Sequence, residues 1–160
     1  MKMINGKRLI DIVVEMLKKS KKIKKIVILT SKKKSDDILC NHLKRKKINF
    51  FRGNLDNVYQ RYYDAINHYK VDQFVRVTGD SPFINPKIID QCYIKNKDNK
   101  YDIVTNVLPR SFPIGQSVEL FNSKIFKKYK NDIIQKKKYR EHITSFFYEN
   151  KSFFKIKNIY

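Results

Sequence analysis

Five short runs of apolar and β-branched residues recur along the chain and alternate with stretches of helical periodicity. The runs lie at 25–30, 48–53, 73–80, 101–106 and 117–122. Short runs of this kind, bounded by polar residues, predict buried strands, and apolar residues spaced i, i+3, i+4 and i+7 predict helices between them. The alternation of strands and helices indicates an α/β fold with a parallel sheet and helices on both faces.

The predicted helices cover 8–19, 35–46, 55–69, 86–96, 123–130 and 137–149. Ser35 is expected to cap the second of these helices, and Pro86 suits the first turn of the fourth. The chain opens almost directly into a helix, whereas doubly wound folds usually place a strand and a phosphate-binding loop first. We expect residues 1–160 to form one domain, or part of a larger one.

The net charge of +21 has two interpretations. It can mark a nucleic-acid partner, or it can come from a lysine-rich solvated surface. The 29 lysines far outnumber the 7 arginines and are spread along the chain, whereas nucleic-acid readers rely on clustered arginines. We therefore expect no specific nucleic-acid partner. The alternative, a basic α/β module that binds nucleic acid or anions without catalysis, predicts binding that persists near physiological salt.

No apolar run approaches the roughly eighteen residues of a membrane span. The first apolar cluster contains Asp11 and Glu15, which is not typical of a signal peptide. Cys40 and Cys92 stand alone without a partner spacing, a pattern that fits a reducing compartment. These features predict a cytoplasmic location without membrane insertion.

Asp80 is the sharpest candidate for chemistry. In the segment "VRVTGDSP" it follows a strand pattern and Gly79 directly, and ligands of open α/β sheets bind outside the carboxyl ends of the strands. A carboxylate there can hold Mg²⁺ together with phosphate oxygens and water. The alternative is that Asp80 caps the following helix or bonds to its own turn.

Glu119 and the segment "YREHIT" are further candidates. Strand alternation places Ser117, Glu119 and Phe121 on one face, so Glu119 is either a second carboxylate for metal or sugar hydroxyls or an exposed residue of an edge strand. Arg140 and His142 are predicted at a helix start, where they either contact an anion or a sugar hydroxyl or form a solvated helix end. The chain contains neither a P-loop nor a GxGxxG motif.

Several segments together carry a resemblance to one family. They are "NGKRLIDIVVEMLKKSKKIKKIVILTS", "FFRGNLDNVYQRYYDA", "FVRVTGDSPFINPKIIDQ", "YDIVTNVLPRSFPIGQSVELF" and "YREHIT". In their order and spacing they resemble the SpsF-like cytidylyltransferases, bacterial relatives of the acylneuraminate and 3-deoxy-manno-octulosonate cytidylyltransferases. The resemblance covers nearly the whole chain.

The resemblance implies a Rossmann-like nucleotidyltransferase fold of the three-layer, GT-A-like type. It implies transfer of CMP from CTP to an acidic sugar, with release of pyrophosphate, for surface polysaccharide synthesis. Mg²⁺ is the implied cofactor, CTP and an acidic sugar are the implied partners, and a homodimer is one option for the assembly.

The resemblance also implies roles for individual residues. Asp80 matches the Mg²⁺-binding carboxylate, and nucleotide contacts are expected from Arg61, Arg76, Thr78, Gly79 and Ser81. The segment with Arg110, Gln116 and Glu119 matches the one that faces the sugar. Arg110 and Arg140 are candidates to hold the sugar carboxylate, since a guanidinium offers a bidentate fork, and His142 is expected beside them.

The chain departs from the family pattern in three places. The family begins with a strand and a signature loop of the type R-x-x-S-x-R-L-P-G-K, whereas this sequence starts at "MKMINGK" and stops at "KIKNIY". We therefore expect a fold that is incomplete at both ends and weak or absent activity for this chain. Ser117 stands where many relatives carry an aspartate, which leaves Glu119 as the remaining candidate for a second metal carboxylate.

Overall fold

The computed structural model describes residues 2–160 as a mixed α/β chain. The strands are β1 (Met3–Ile4), β2 (Lys7–Arg8), β3 (Val27–Ser31), β4 (Asn49–Gly53), β5 (Gln73–Arg76), β6 (Ile103–Thr105), β7 (Glu119–Asn122) and β8 (Ile156–Asn158). The helices are α1 (Leu9–Leu17), α2 (Asp37–Arg45), α3 (Val58–Tyr69), α4 (Pro86–Lys95), α5 (Ser123–Lys128), α6 (Lys130–Gln135), α7 (Lys137–Glu141) and α8 (Ser145–Glu149). Two 3₁₀ turns, Lys34–Asp36 and Lys151–Phe153, complete the regular structure.

The chain divides into two compact units. The first contains the residues up to 26 together with 73–122 and 152–160, and the second contains 27–72 and 123–151. Neither unit is continuous in sequence. Every helix in the described part of the chain is too short or too polar to span a bilayer.

The first unit is built on a four-stranded sheet with the order β5-β7-β6-β8. β6 and β8 run parallel, whereas β7 runs antiparallel to both β5 and β6. The sheet is therefore mixed rather than wholly parallel. The physical reason is the connection from β6 to β7, which is a loop without a helix, so the chain turns back instead of crossing over. Its core joins α1, α4 and the sheet through residues such as Val13, Ile88 and Leu120.

The second unit pairs β3 and β4 in parallel, from Val27↔Asn49 to Ser31↔Gly53. This is the β-α-β arrangement that the sequence predicted. Aromatic rings fill its interior: Tyr59 stacks on Phe126 with ring centroids 4.6 Å apart, and Phe126 stacks on Phe147 at 5.9 Å. The Tyr59 hydroxyl donates to the backbone carbonyl of Phe126 at 2.5 Å, which satisfies a hydroxyl that is fully buried.

Several element boundaries differ from the predicted ones. The predicted helix 137–149 is two helices, because His142 adopts a non-helical conformation and Ile143 turns into the core. The predicted helix 123–130 likewise divides at Tyr129. β8 was not predicted, since its three residues give too short a pattern to distinguish from a loop.

The predicted cap of the second helix was also wrong. Ser35 lies inside the 3₁₀ turn that precedes α2, and no side chain caps this helix. Asp36 instead turns back to the end of β3, where one of its carboxylate oxygens accepts from both hydroxyls of Thr30 and Ser31 at 2.6 Å. The carboxylate thus ties the turn to the strand rather than to the helix.

Candidate functional site

The carboxyl ends of β5 and β6 in the first unit meet at one edge of the sheet. Because β7 lies between them and runs the other way, its first residue, Glu119, is in register with Arg76 of β5 and with Thr105 of β6. Ligands of open α/β sheets bind outside this edge. The two loops that leave it, 77–85 and 106–118, carry most of the predicted site residues.

Arg76 and Glu119 form an ion pair at this edge. Arg76 Nη1 lies 2.5 Å from Glu119 Oε2, and the Glu119 side chain is only 4% exposed, against 24% for Arg76. A carboxylate buried to this extent needs a charged partner, since its desolvation would otherwise be very costly. Glu119 is thus a buried and paired residue at the start of a central strand, and not an exposed residue of an edge strand.

The loop after β5 is held by its own hydroxyl groups. Thr78 Oγ1 and Ser81 Oγ lie 2.6 Å apart, and the Ser81 amide donates to the Thr78 carbonyl at 3.2 Å. Ser81 is buried, so this pair closes the turn from inside. Gly79 and Asp80, at the tip of the turn, are exposed.

Asp80 is without a structural partner in the described part of the chain. Its carboxylate makes no hydrogen bond and no ion pair within residues 2–160. The helix that follows is capped by Asn85, whose Oδ1 accepts from the Lys87 amide at 3.0 Å. The helix-cap and turn-bonding alternatives for Asp80 are therefore not realised, and an exposed carboxylate is presented at the edge of the sheet.

Gly79 does not need to be a glycine for conformational reasons. A Cβ added there would meet only Ile10 Cδ1, at 3.9 Å, which is an ordinary contact. The space next to the Gly79 backbone is therefore open on the side that a side chain would occupy. Such a position allows another molecule to approach the backbone closely.

The loop between β6 and β7 carries Arg110 and Gln116. Arg110 is exposed, and its Nη1 donates to Ser117 Oγ at 3.1 Å. The Gln116 amide donates to the Pro113 carbonyl at 3.2 Å, which closes a turn through Gly115. Gly115 has φ +90°, a left-handed conformation that favours glycine.

Asn106 is a buried residue that the sequence reasoning did not single out. It is 1% exposed, and its side-chain amide bonds to the far end of the loop: Nδ2 donates to the Gln116 carbonyl at 2.8 Å, and Oδ1 accepts from the Val118 amide at 2.9 Å. The only sequence signal was an asparagine at the end of an apolar strand run, where a short polar side chain has no reason to be buried unless it is bonded.

Arg61 belongs to the second unit. It packs directly over Gly53, where an added Cβ would lie 2.7 Å from Arg61 Cγ. Its Nη1 donates to the Asn54 carbonyl at 2.8 Å, whereas its Nε is buried without a hydrogen-bond partner in residues 2–160. Burial lowers the pKa of the Arg61 guanidinium, an effect that the nearby Tyr62 and Asp36 oppose.

Arg140 and His142 also belong to the second unit. They were predicted at a helix start, but Arg140 lies in the last turn of α7 and His142 is the residue just past its end. The reason is that the His142 amide donates back to the Lys138 carbonyl at 2.8 Å, which closes the last turn. His142 is exposed, and Arg140 Nε is buried without a partner within the described residues.

The residues of the first unit suit only a metal ion that takes most of its ligands from a substrate and from water. Across residues 2–160, His, Cys, Asp and Glu side chains nowhere gather in threes as a ready-made cage. Mg²⁺ commonly uses one or two carboxylates and fills its other positions with phosphate oxygens and water. Asp80 suits this role because it is exposed and unpartnered, whereas the Glu119 carboxylate is engaged by Arg76.

Comparisons with known proteins identify the family to which this sequence and fold are similar. A family model described as cytidylyltransferase matches residues 1–160. The spore coat polysaccharide biosynthesis protein SpsF of Bacillus subtilis is 28% identical over 157 residues, which cover 96% of this chain and 64% of SpsF. A cytidylyltransferase structure from Leptospira borgpetersenii superposes with a TM-score of 0.91 at 31% identity, covering 98% of this chain and 66% of that one.

A more distant structure shares the fold alone. It is a CMP:2-keto-3-deoxy-manno-octonic acid synthetase complexed with CTP, with a TM-score of 0.74 at 11% identity, covering 99% of this chain and 80% of that one. The present chain spans between 59% and 64% of the length of the curated relatives that it matches along nearly its whole sequence. These likenesses confirm the nucleotidyltransferase fold that the sequence predicted.

Proposed function

Because this chain belongs to the cytidylyltransferase family, we propose that it serves to transfer CMP from CTP to an acidic sugar, with release of pyrophosphate. In this reaction a sugar hydroxyl oxygen bonds to the α-phosphorus of CTP. The bond between that phosphorus and the oxygen leading to the β-phosphorus breaks, and pyrophosphate leaves with the bonding electrons. The hydroxyl proton is released to solvent. Surface polysaccharide synthesis is the proposed use of the product.

The observation that carries the proposal is the free carboxylate of Asp80 at the sheet edge. It is exposed, it lacks a partner among the described residues, and it follows a turn that Thr78 and Ser81 close from inside. Binding residues are often carried on loops that a rigid scaffold positions, which supports a ligand role for this carboxylate. We assign it as the Mg²⁺ ligand.

Mg²⁺ bound by Asp80 would supply positive charge next to the phosphate oxygens during the transfer. Glu119 is less suited to this role, because the Arg76 guanidinium already neutralises it. We assign the Arg76–Glu119 pair to the wall of the site, where the guanidinium adds positive charge beside the proposed phosphates.

The nucleotide is proposed to approach along the turn 78–81. The open space at Gly79 lets a phosphate come close to the backbone, and the hydroxyls of Thr78 and Ser81 keep the turn rigid. In the second unit, Arg61 is proposed as a further nucleotide contact. Its support is the buried Nε, which lacks an acceptor in residues 2–160.

The acidic sugar is proposed to bind along the loop 106–118. Arg110 is exposed there and, within residues 2–160, donates only through Nη1 to a neighbouring hydroxyl, so its fork can take a carboxylate. Gln116 lies on the same loop and offers a side-chain amide to the sugar hydroxyls. In the second unit, Arg140 and His142 are proposed contacts for the sugar, supported by the unpartnered Nε of Arg140 and the exposure of His142.

The test compares Asp80→Asn with Asp98→Asn. Asp98 is also exposed and also makes no hydrogen bond or ion pair with the described residues, so its replacement is a matched loss of one surface carboxylate in the same unit. CTP binding is measured by calorimetry with and without Mg²⁺, and CMP-sugar formation from 3-deoxy-manno-octulosonate or N-acetylneuraminate is followed by pyrophosphate release.

We expect the unchanged chain to bind CTP weakly and more tightly with Mg²⁺, and to transfer CMP slowly. Asp80→Asn is expected to weaken the Mg²⁺-dependent binding by about tenfold or more, equivalent to about 1.4 kcal/mol, whereas Asp98→Asn leaves it unchanged. CTP binding by the unchanged chain that does not respond to Mg²⁺, or equal behaviour of the two variants, would contradict the proposal.

A further inference from the structure

The loop between β6 and β7 is fastened at both of its ends to a single residue, Asn106. At its near end the Asn106 carbonyl accepts from the Ser111 amide at 3.0 Å. At its far end the side-chain amide donates to the Gln116 carbonyl and accepts from the Val118 amide. Arg110 lies between Asn106 and Ser111, and its Nη1 donates to Ser117 Oγ, which stands between the two residues that the Asn106 side chain bonds.

The side chain of Asn106 can do this only because it has a donor and an acceptor. Nδ2 meets a carbonyl and Oδ1 meets an amide, so both ends of the side chain are matched. The residue is 1% exposed, so each of these bonds is made away from competing water. An ionised aspartate of the same shape would place a second acceptor against the Gln116 carbonyl.

A second set of contacts fixes the same loop to the last residue of β8 and to the residue after it. The Ser111 hydroxyl bonds to the Ile159 carbonyl at 2.5 Å, and the Leu108 amide donates to Asn158 Oδ1 at 3.2 Å. These contacts hold the near half of the loop. The far half, with Gln116, depends on the Asn106 side chain and on the turn bond from the Gln116 amide to Pro113.

We propose that Asn106 is a positioning residue that sets the geometry in which Arg110 and Gln116 receive the acidic sugar. It touches neither nucleotide nor sugar and acts through the loop. This inference rests on the proposed function, because it assigns the loop to the sugar rather than to CTP. A displacement of a binding group by about 1 Å can cost up to a hundredfold in rate, so a loop that carries two such groups needs a fixed anchor.

The test uses Asn106→Asp, with Asn96→Asp as its matched control. Asn96 is also fully buried in the first unit, and its side chain also makes two hydrogen bonds, one as donor and one as acceptor. Nδ2 donates to the Tyr101 carbonyl at 3.1 Å, and Oδ1 accepts from the Tyr101 amide at 2.8 Å. It fastens the end of α4 and not the loop. A merely structural role predicts the same consequences for both variants.

Two measurements distinguish a positioning role of Asn106 from a merely structural one. The first is hydrogen exchange of the Gln116 and Val118 amides in the half of the loop that the Asn106 side chain holds, which reports the order of the loop without any turnover. The second is the apparent KM for 3-deoxy-manno-octulosonate against that for CTP. Thermal unfolding of both variants confirms that they are folded and shows whether their unfolding temperatures fall by similar amounts.

We expect Asn106→Asp to raise loop exchange and to raise the KM for the sugar by about tenfold to a hundredfold, with the KM for CTP unchanged. Asn96→Asp is expected to lower the unfolding temperature comparably and to leave the loop and both KM values unchanged. Unchanged loop exchange in Asn106→Asp, or an equal change in the two KM values, would overturn the inference. If the unchanged chain transfers CMP to neither sugar acid, the proposed function fails, and the role of Asn106 in sugar binding fails with it. Hydrogen exchange in the loop still decides, independently of turnover, whether Asn106 holds the loop.

Discussion

Arg76 and Glu119 face each other across β5 and β7 with Nη1 and Oε2 2.5 Å apart, at the edge of the sheet where the site lies. The pair explains how a carboxylate can be 4% exposed at the start of a central strand. It also separates the two candidate carboxylates by their surroundings. Glu119 is buried and neutralised by a cation, whereas Asp80 is exposed and, among the described residues, without a partner.

Replacing Arg76 by Met is expected to destabilise the protein by about 3 kcal/mol, because it leaves a buried carboxylate without its cation. The free energy of unfolding in urea measures this loss. The matched control is Lys7→Met, which removes the exposed ion pair between Lys7 and Glu15, where Nζ and Oε2 lie 3.4 Å apart. Exposed pairs contribute less than about 1 kcal/mol, so equal losses for the two variants would show that Arg76 does not hold Glu119.

Replacing Gly53 by Ala is expected to destabilise the protein by about 1–3 kcal/mol, because the new Cβ would lie 2.7 Å from Arg61 Cγ and 3.2 Å from Arg61 Cα. These atoms belong to the base of the side chain and to the backbone of α3, so they cannot swing aside. Gly79→Ala is the control, since its Cβ meets only Ile10 Cδ1 at 3.9 Å. The unfolding midpoint should fall for Gly53→Ala and stay nearly constant for Gly79→Ala; the reverse order would refute the close packing of Arg61.

Asp36 is expected to make stability depend on pH in the acid range. Hydrogen bonds from the hydroxyls of Ser31 and Thr30 hold the pKa of the Asp36 carboxyl below its ordinary value of 3.8. A group whose pKa is lowered by folding adds stability that is complete above its unfolded pKa and is lost as the pH falls through the folded one. The contribution is therefore present above pH 3.8 and disappears below it.

Urea unfolding from about pH 6 down to about pH 3 checks this expectation. Asp36→Asn should lower the free energy of unfolding near pH 6. As the pH falls, the free energy of unfolding of this variant should decrease less than that of the unchanged protein. Asp98→Asn, which removes an exposed carboxylate that bonds to none of the described residues, should keep the full acid-induced loss of stability. An acid loss in Asp36→Asn as large as in the unchanged protein would disprove the role of this carboxylate.

Replacing Arg110 by Gln is expected to raise the KM for the sugar acid by about tenfold, since a charged and bidentate contact to a carboxylate becomes a neutral one. The KM for CTP and the unfolding midpoint should not change, because Arg110 is exposed. Steady-state kinetics with varied sugar and varied CTP separates the two constants. Arg45→Gln serves as the control, because it removes an exposed arginine from the second unit, whereas Arg110 belongs to the first. An equal rise in the KM for the sugar acid in both variants would mean that only the net charge matters.

Much of the fold could be predicted from the sequence because it is encoded locally. The patterns at 48–53 and 86–96 correspond closely to β4 and α4, and Pro86 occupies the first turn as expected. Asp80 could be singled out for the same reason, since a strand pattern that ends in glycine and aspartate fixes the carboxylate at a loop. The family likeness is likewise carried by short segments whose residues are neighbours in sequence.

The sequence alone thus determined the α/β class, most helices and strands, and the loop that presents Asp80. Only the tertiary structure decided that β7 runs antiparallel between β5 and β6, that Arg76 neutralises Glu119, and that Asn106 fastens both ends of a loop. The physical reason is distance along the chain. Periodicity and turn chemistry act over a few residues, whereas the pairing of residues 43 positions apart depends on strand order and register, which no local pattern specifies.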